Sequence, residues 1–318
     1  MATALVTGAN SGVGFEACRQ LALIDDAPVA QIILACRDAG KANEAIKMLA
    51  GATGKPATLF STLELDLSLL SSVQSAVQCV SNSIGILLLN AGGLGGPDFC
   101  DLTSDGVTQV MATNTIGTAA FVEGLLASKK LTPSASVVYS SSEVGRGLTG
   151  MAPKPVFARD DAECILDHIF GRPACGYAEK GTANQMMAYS YSKAVGTLFV
   201  SHLARENPDM RFYSVSPGMT HSTAAVGNGP AILQMIMPCM MPLMTCAGQA
   251  HSPEVGAKRY LDALLGKDMV HSSGTFLASG PDYAATGPAV DQGLKHGDLF
   301  NNPKLQEAVA VAIRQIIK

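Results

Sequence analysis

Tyr189 and Lys193 stand four residues apart in the run Tyr189-Ser190-Tyr191-Ser192-Lys193, so on a helix their side chains share a face. A free tyrosine, with a pKa of about 10, is a poor proton shuttle at neutral pH. A neighbouring ammonium favours the phenolate and makes the pair usable as an acid. Tyr191, two residues before Lys193, points away from it on the same helix. Two further features suit an anionic ligand. Thr7-Gly8-Ala9-Asn10-Ser11-Gly12-Val13-Gly14 is a glycine turn that opens a helix. Its glycines permit a sharp bend and let backbone amides approach a pyrophosphate at the helix's positive end. Ala35-Cys36-Arg37-Asp38, followed by Lys41, places cations where an acidic residue would hold an adenosine ribose hydroxyl, and an arginine there accommodates a 2′-phosphate instead. Arg37 and Lys41 therefore argue for NADP(H), with Asp38 as the cap of the following helix.

Those residues need a scaffold, and the apolar pattern supplies one. Short apolar runs alternate with helical-period segments, the signature of βαβ units and a parallel sheet. Strands are predicted at Ala4–Thr7, Gln31–Ala35, Thr58–Leu65, Ile86–Leu89, Ser136–Ser140, Phe212–Ser216 and Gly274–Ala278, with helices beginning near Gly14, Lys41, Leu70, Ser104, Ser190 and Pro253. This is an α/β, doubly wound parallel sheet of seven strands, a Rossmann fold. Polar residues close the runs: Asp66-Leu67 the third, Asn90-Ala91-Gly92-Gly93 the fourth, Ser140-Ser141-Ser142 the fifth. Asn114 lies inside a helical stretch. No repeat or low-complexity linker marks a second domain, so residues 1–318 read as one dinucleotide-binding and catalytic domain. Two stretches break the rhythm: an insertion at about 145–187, and residues 219–252, which carry Met235-Ile236-Met237-Pro238-Cys239-Met240-Met241-Pro242-Leu243-Met244.

Composition narrows the field. The 318 residues are 47% hydrophobic and 15% charged, with a formal net charge of -4, as expected of a folded globular chain. Lys and Arg form no run, which argues against a nucleic-acid partner. Eight cysteines are scattered without a Cys-x-x-Cys pair and read as reduced packing thiols in a reducing compartment. No uninterrupted apolar stretch reaches the roughly 18 residues of a spanning helix. The chain runs from Met1 straight into a strand, so no targeting peptide is visible; the cytoplasm is expected, or a plastid if a leader was removed. Six histidines lack metal-like spacing, so no metal is expected. Asp160, Asp161, Glu163 and Asp167 read as the solvated face of a short inserted helix.

In this order the motifs resemble those of the short-chain dehydrogenase/reductase family over nearly the whole chain. The resemblance places the family's glycine turn on Gly8, Gly12 and Gly14, with Asn10, Ser11 and Val13 among the cofactor contacts, its adenine-site acid on Asp66 beside Leu67, and its Asn-Ala-Gly on Asn90, Ala91 and Gly92. It implies Asn114, Ser142, Tyr189 and Lys193 as catalytic residues and Pro217, Gly218 and Thr220 as nicotinamide contacts. In these roles Ser142 would hydrogen-bond the substrate carbonyl, Tyr189 would protonate it, Lys193 would sustain the phenolate and hold ribose hydroxyls, and Asn114 would position a relay water.

The long interval between Ser142 and Tyr189 resembles two subgroups, the light-dependent protochlorophyllide reductases and the monomeric carbonyl reductases. The former carry a functional cysteine after the Pro-Gly, where this chain has Met219, and a thioether can neither donate a proton nor form a thiolate. The expected activity is therefore NADPH-dependent reduction of a carbonyl or activated double bond in a bulky apolar substrate, with a protochlorophyllide reductase-like photoenzyme as the alternative. A non-catalytic NADP(H)-binding regulator is the alternative of another class, disfavoured because Asn, Ser, Tyr and Lys are all present. The Met-rich stretch is expected to be a substrate lid; it lacks the basic face that usually assists peripheral membrane contact. By analogy with the carbonyl reductases, a monomer is expected.

Overall fold

The computed structural model describes residues 2–24, 29–220, 250–266, 270–280 and 285–318. The expected lid falls almost wholly on 221–249, outside the described residues. In chain order the main elements are β1 (Ala2–Thr7), α1 (Gly12–Ala22), β2 (Val29–Cys36), α2 (Ala39–Thr53), β3 (Phe60–Glu64), α3 (Leu70–Cys79) and β4 (Ile84–Leu89). Then follow α4 (Gln109–Ala127), β5 (Leu131–Ser140), α5 (Ala162–Ile169), α6 (Thr182–Glu206), β6 (Arg211–Val215), α7 (Pro253–Leu265), β7 (Phe276–Ser279), β8 (Ala289–Asp291), α8 (Gly297–Phe300) and α9 (Pro303–Ile316).

The strands form one sheet in the order β3-β2-β1-β4-β5-β6-β7-β8. Its first seven members are parallel. Central strands bury both faces: Leu34, Leu87, Leu88, Val137 and Val138 are fully enclosed, which is why they read as continuous apolar runs. One face is covered by α1, α2 and α7 and the other by α3, α4 and α6, with α5 and α9 outside them. The chain reverses direction of winding between β1 and β4, and the crevice at such a switch point is where open α/β sheets bind ligands.

The expected seven strands become eight, because β8 pairs antiparallel with β7. Three residues are too few to show a period, so β8 left no mark in the sequence. The fourth helix-bearing crossover also differs: α4 starts at Gln109 rather than Ser104, after a small bridge between Leu102 and Thr108. By length and hydropathy α4 could cross a bilayer, yet two thirds of its apolar window is buried in the fold.

The insertion is shorter than expected, because α6 begins at Thr182 rather than Ser190 and absorbs the end of the predicted 145–187 interval. It contains a turn at Glu143–Arg146, a bridge from Leu148 to Ala152, and α5. Asp161 caps α5 through the Cys164 amide at 2.8 Å, while Glu163 and Asp167 pair with Arg172. Rings fasten this segment to α6: His168 stacks on Tyr191 at 4.2 Å, flanked by Phe157 and Tyr177. Burial there holds the His168 imidazole down to about 4.

Candidate active site

The sequence-predicted positions converge on the carboxyl ends of the strands. Thr7 and Asn90 knit β1 to β4: Asn90 Nδ2 donates to the Thr7 carbonyl at 3.0 Å, and the Ala91 amide donates to Thr7 Oγ1 at 2.9 Å. Gly8 and Gly12 take positive φ, +65° and +56°. At Gly14 a Cβ would lie 2.5 Å from Asn90 Nδ2, so only glycine lets α1 start this close to the sheet. Ser11 occupies the N-cap of α1 without spending its hydroxyl on the helix. Val13 is buried, so its side chain packs and its amide is the part left to face a ligand. Asn10 sits in the turn between β1 and α1.

Beside this turn lies a groove of about 490 Å³ lined by Gly8, Arg37, Asp66, Leu67, Ala91 and Gly92, among others. Arg37 is exposed at the tip of β2, and Lys41 is exposed one helical turn later. Asp38 does cap α2, its Oδ1 accepting the Lys41 amide at 3.0 Å. Asp66 Oδ1 is held by the Ser68 amide and hydroxyl at 2.9 and 2.6 Å. The lining fits a dinucleotide: glycines at the pyrophosphate position, a helix N-terminus behind them, a carboxylate and an exposed guanidinium at the far end.

Ser142, Tyr189 and Lys193 meet above β5. Of the three consecutive serines, Ser140 bonds Tyr260 at 2.6 Å and Ser141 bonds Thr197 at 2.7 Å, whereas the Ser142 hydroxyl faces the Tyr189 phenol and pulls its pKa down. Burial pushes the Tyr189 phenol up to about 12, against the pull of Ser142. Lys193 is 2% exposed; its Nζ donates to the Ser140 carbonyl at 2.7 Å and lies 5.7 Å from the Tyr189 ring centroid. Burial brings that ammonium down to about 7. Tyr191 indeed turns away, its hydroxyl engaged with Val156 at 2.9 Å.

Asn114 lies in a π turn, Ala112–Ile116, within α4. Its amide donates to the carbonyls of Gly93 and Val110 at 2.8 and 2.9 Å and accepts the Gly93 amide at 2.9 Å. The side chain is thus committed to the scaffold, and its backbone carbonyl accepts the Tyr139 hydroxyl at 3.1 Å. Gly92 must be glycine, because a Cβ would collide with Asn114 Oδ1 and come within 3.0 Å of Lys193 Nζ. Pro217 and Gly218 follow β6, with the Gly218 amide donating to Ser216 Oγ at 3.2 Å. Thr220 is buried beside α7 and bridges to His251.

One group escaped the sequence reading. Glu143, buried directly after Ser142, accepts hydrogen bonds from Ser216 Oγ and from the Ser279 amide and hydroxyl at 3.1 and 2.8 Å. Arg259 lies 3.5 Å away and reaches the Ser216 carbonyl, Ser279 Oγ, His251 and the Gly287 carbonyl. Arg146 donates to the Ser279 carbonyl at 3.0 Å. This buried network ties the ends of β5, β6 and β7. A glutamate after a serine run carries no signal of such distant partners. Among the described residues no cluster is placed to hold a metal ion.

A family model described as short chain dehydrogenase matches residues 2–153. Over 245 residues the chain is 30% identical to the short-chain dehydrogenase TIC 32 B, chloroplastic, of Brassica napus, covering 73% of this chain and 68% of that protein. It is 29% identical to the bovine (Bos taurus) dehydrogenase/reductase SDR family member 13, over 87% of this chain and 66% of that protein. The Chlamydomonas reinhardtii protochlorophyllide reductase, chloroplastic, is 27% identical over 86% of this chain and 68% of its own length. The chain thus spans about two thirds of the length of these relatives. Among solved structures, an uncharacterized protein from Mycobacterium Paratuberculosis has the same fold, with a TM-score of 0.68 at 24% identity over 100% of this chain and 93% of that one.

Proposed function

Because the chain belongs to the short-chain dehydrogenase family, an oxidoreductase family, we propose that it is an NADPH-dependent reductase acting on a carbonyl or activated double bond of a bulky apolar substrate. The observation that carries this reading is the meeting of Ser142, Tyr189 and buried Lys193 beside the groove. Gly8, Gly12, Gly14 and the first amides of α1 would hold the pyrophosphate, Asp66 and Leu67 the adenine, and Lys193 the nicotinamide ribose. Arg37 would take the 2′-phosphate, while Asp38 caps α2. When bound, the reduced cofactor supplies the hydride.

The chain's own residues do the rest. Ser142 Oγ donates a hydrogen bond to the substrate oxygen and polarises it. Tyr189 gives that oxygen its proton. Lys193 stabilises the phenolate left behind, which matters because burial, the largest influence on it, leaves the phenol at about 12. Val144, Leu148 and Ala152 form a small buried apolar cluster against which Tyr189, Met186 and Met219 pack, so the surroundings of the proton donor suit an apolar substrate.

A second reading, a protochlorophyllide reductase-like photoenzyme, is favoured by the likeness to the Chlamydomonas protein; the thioether of Met219 speaks against it. The test is turnover of NADPH and NADH with apolar ketones, quinones and tetrapyrroles, in dark and in light. Dark reduction with NADPH is expected. Turnover of tetrapyrroles in light only would favour the second reading. Arg37→Ala should weaken NADPH binding by about ten- to hundred-fold, the loss of one charge-assisted contact. Equal wild-type affinity for NADH and NADPH would contradict the role of Arg37.

A further inference from the structure

β5 carries a tyrosine that the proposed chemistry leaves unassigned. Tyr139 is 1% exposed and its side chain lies between α4 and α6. The hydroxyl donates to the Asn114 carbonyl at 3.1 Å, inside the π turn where α4 departs from its regular hydrogen bonding. The ring faces Lys193, with Nζ 5.0 Å from its centroid. Gly196, three residues beyond Lys193 on α6, makes the room: a Cβ there would lie 2.5 Å from the phenol Cζ and 2.9 Å from Cε1. A bulky ring on the strand and a missing side chain on the helix are thus fitted to one another at the two helices that carry the site.

Around the Lys193 ammonium stand the Ser140 carbonyl at 2.7 Å and the rings of Tyr139 and Tyr189. The other ionisable groups nearby are Glu143, after β5, and Tyr260, on α7. The Glu143 carboxylate is turned to Ser216, Ser279 and Arg259. The Tyr260 phenol bonds Ser140 Oγ. Burial holds the phenols of Tyr139 and Tyr260 well above the ordinary range, so both stay neutral.

We propose that Tyr139 is a positioning residue, its ring face stabilising the buried Lys193 ammonium while its hydroxyl fixes the Asn114 carbonyl beside it. An aromatic face attracts a cation most strongly where water is excluded. Burial pulls the ammonium toward its neutral form; weakening the ring face lets burial win further, so Lys193 then loses its proton at lower pH. The kinetic consequence rests on the proposed reduction, whereas the electrostatic one does not.

The experiment uses the full chain without cofactor, its lysines labelled with carbon-13 and nitrogen-15. The Lys193 side-chain signal, identified by its loss in Lys193→Arg, is titrated by NMR. Position 139 is changed to phenylalanine, then to phenylalanine bearing three ring fluorines, which keeps the shape and removes the negative face. Tyr139→Phe should leave the titration close to wild type, and the fluorinated ring should lower it by about one pH unit. With a substrate, Tyr139→Phe should lower kcat about tenfold at unchanged KM, the loss of one hydrogen bond to a carbonyl in the site. A fluorinated ring that leaves Lys193 unmoved would overturn the proposal. So would a shift in Tyr139→Phe as large as that of the fluorinated ring. If the reductase reading itself fails, wild type will not oxidise NADPH while the titration pattern persists.

Discussion

Lys193 shows how a residue can serve chemistry at the expense of stability. Burial brings its ammonium from 10.5 down to about 7, so between those values the unfolded chain holds the proton more tightly than the folded one. Stability therefore rises as pH climbs from about 7 toward 10.5, and below about 7 the penalty is complete. Lys193→Met should accordingly be more stable than wild type at pH 7, by an amount that shrinks by pH 9; urea denaturation at the two pH values measures it. A constant difference would show that burial does not perturb Lys193. At this scale the sequence was informative where chemistry depends on local spacing. The four-residue step from Tyr189 to Lys193 and the capping role of Asp38 needed only the helix period. Tyr139 was illegible, since its meaning depends on Gly196 and Asn114, which only the packing of α4 and α6 on β5 brings to it.

Among the elements, the ends of β5, β6 and β7 are joined by Glu143, whose partners Ser216 and Ser279 lie 73 and 136 residues away. Removing the carboxylate leaves Arg259 and two serines facing a void. Glu143→Ala should cost about 3–5 kcal/mol, as expected for breaking a buried ion pair, and Glu143→Gln, which keeps the shape and part of the hydrogen bonding, should cost less. Chemical denaturation of the two variants decides it; a cost below about 1 kcal/mol for alanine would place Glu143 in the class of surface pairs. The parallel strands were readable because both their faces are buried and their apolar runs are continuous. β8 and the start of α6 were not. The one is too short for a period, and the first turns of the other follow a glycine-rich stretch that reads as loop.

For the whole molecule, the helix that carries Tyr189 and Lys193 is flanked by α5 and α9. α5 is held to α6 by the rings around His168, and α9 is held to both α4 and α6 by Arg314, which pairs with Glu123 at 2.8 Å and with Glu206. The Arg314 hydrogen bonds bring the Glu206 carboxyl down to about 2. With α5 and α9 packed on α6, the expected state is a monomer. Light scattering across a hundredfold concentration range should return one chain mass; a concentration-independent dimer or tetramer would refute it. The long interval before Tyr189 was visible in the sequence, but that it folds back on α6 was not, because the rings that hold it are distributed over Phe157, His168, Tyr177 and Tyr191.

Tyr189 is the proposed proton donor of an NADPH-dependent reduction. The most direct measurement compares wild type, Tyr189→Phe and Tyr191→Phe for NADPH affinity and for turnover of a reducible apolar substrate. Tyr189→Phe should bind NADPH as wild type does and lose about 100-fold or more in kcat, the scale of general acid catalysis, while Tyr191→Phe stays within a few-fold of wild type. Near-normal turnover by Tyr189→Phe, with activity abolished in Tyr191→Phe, would contradict it.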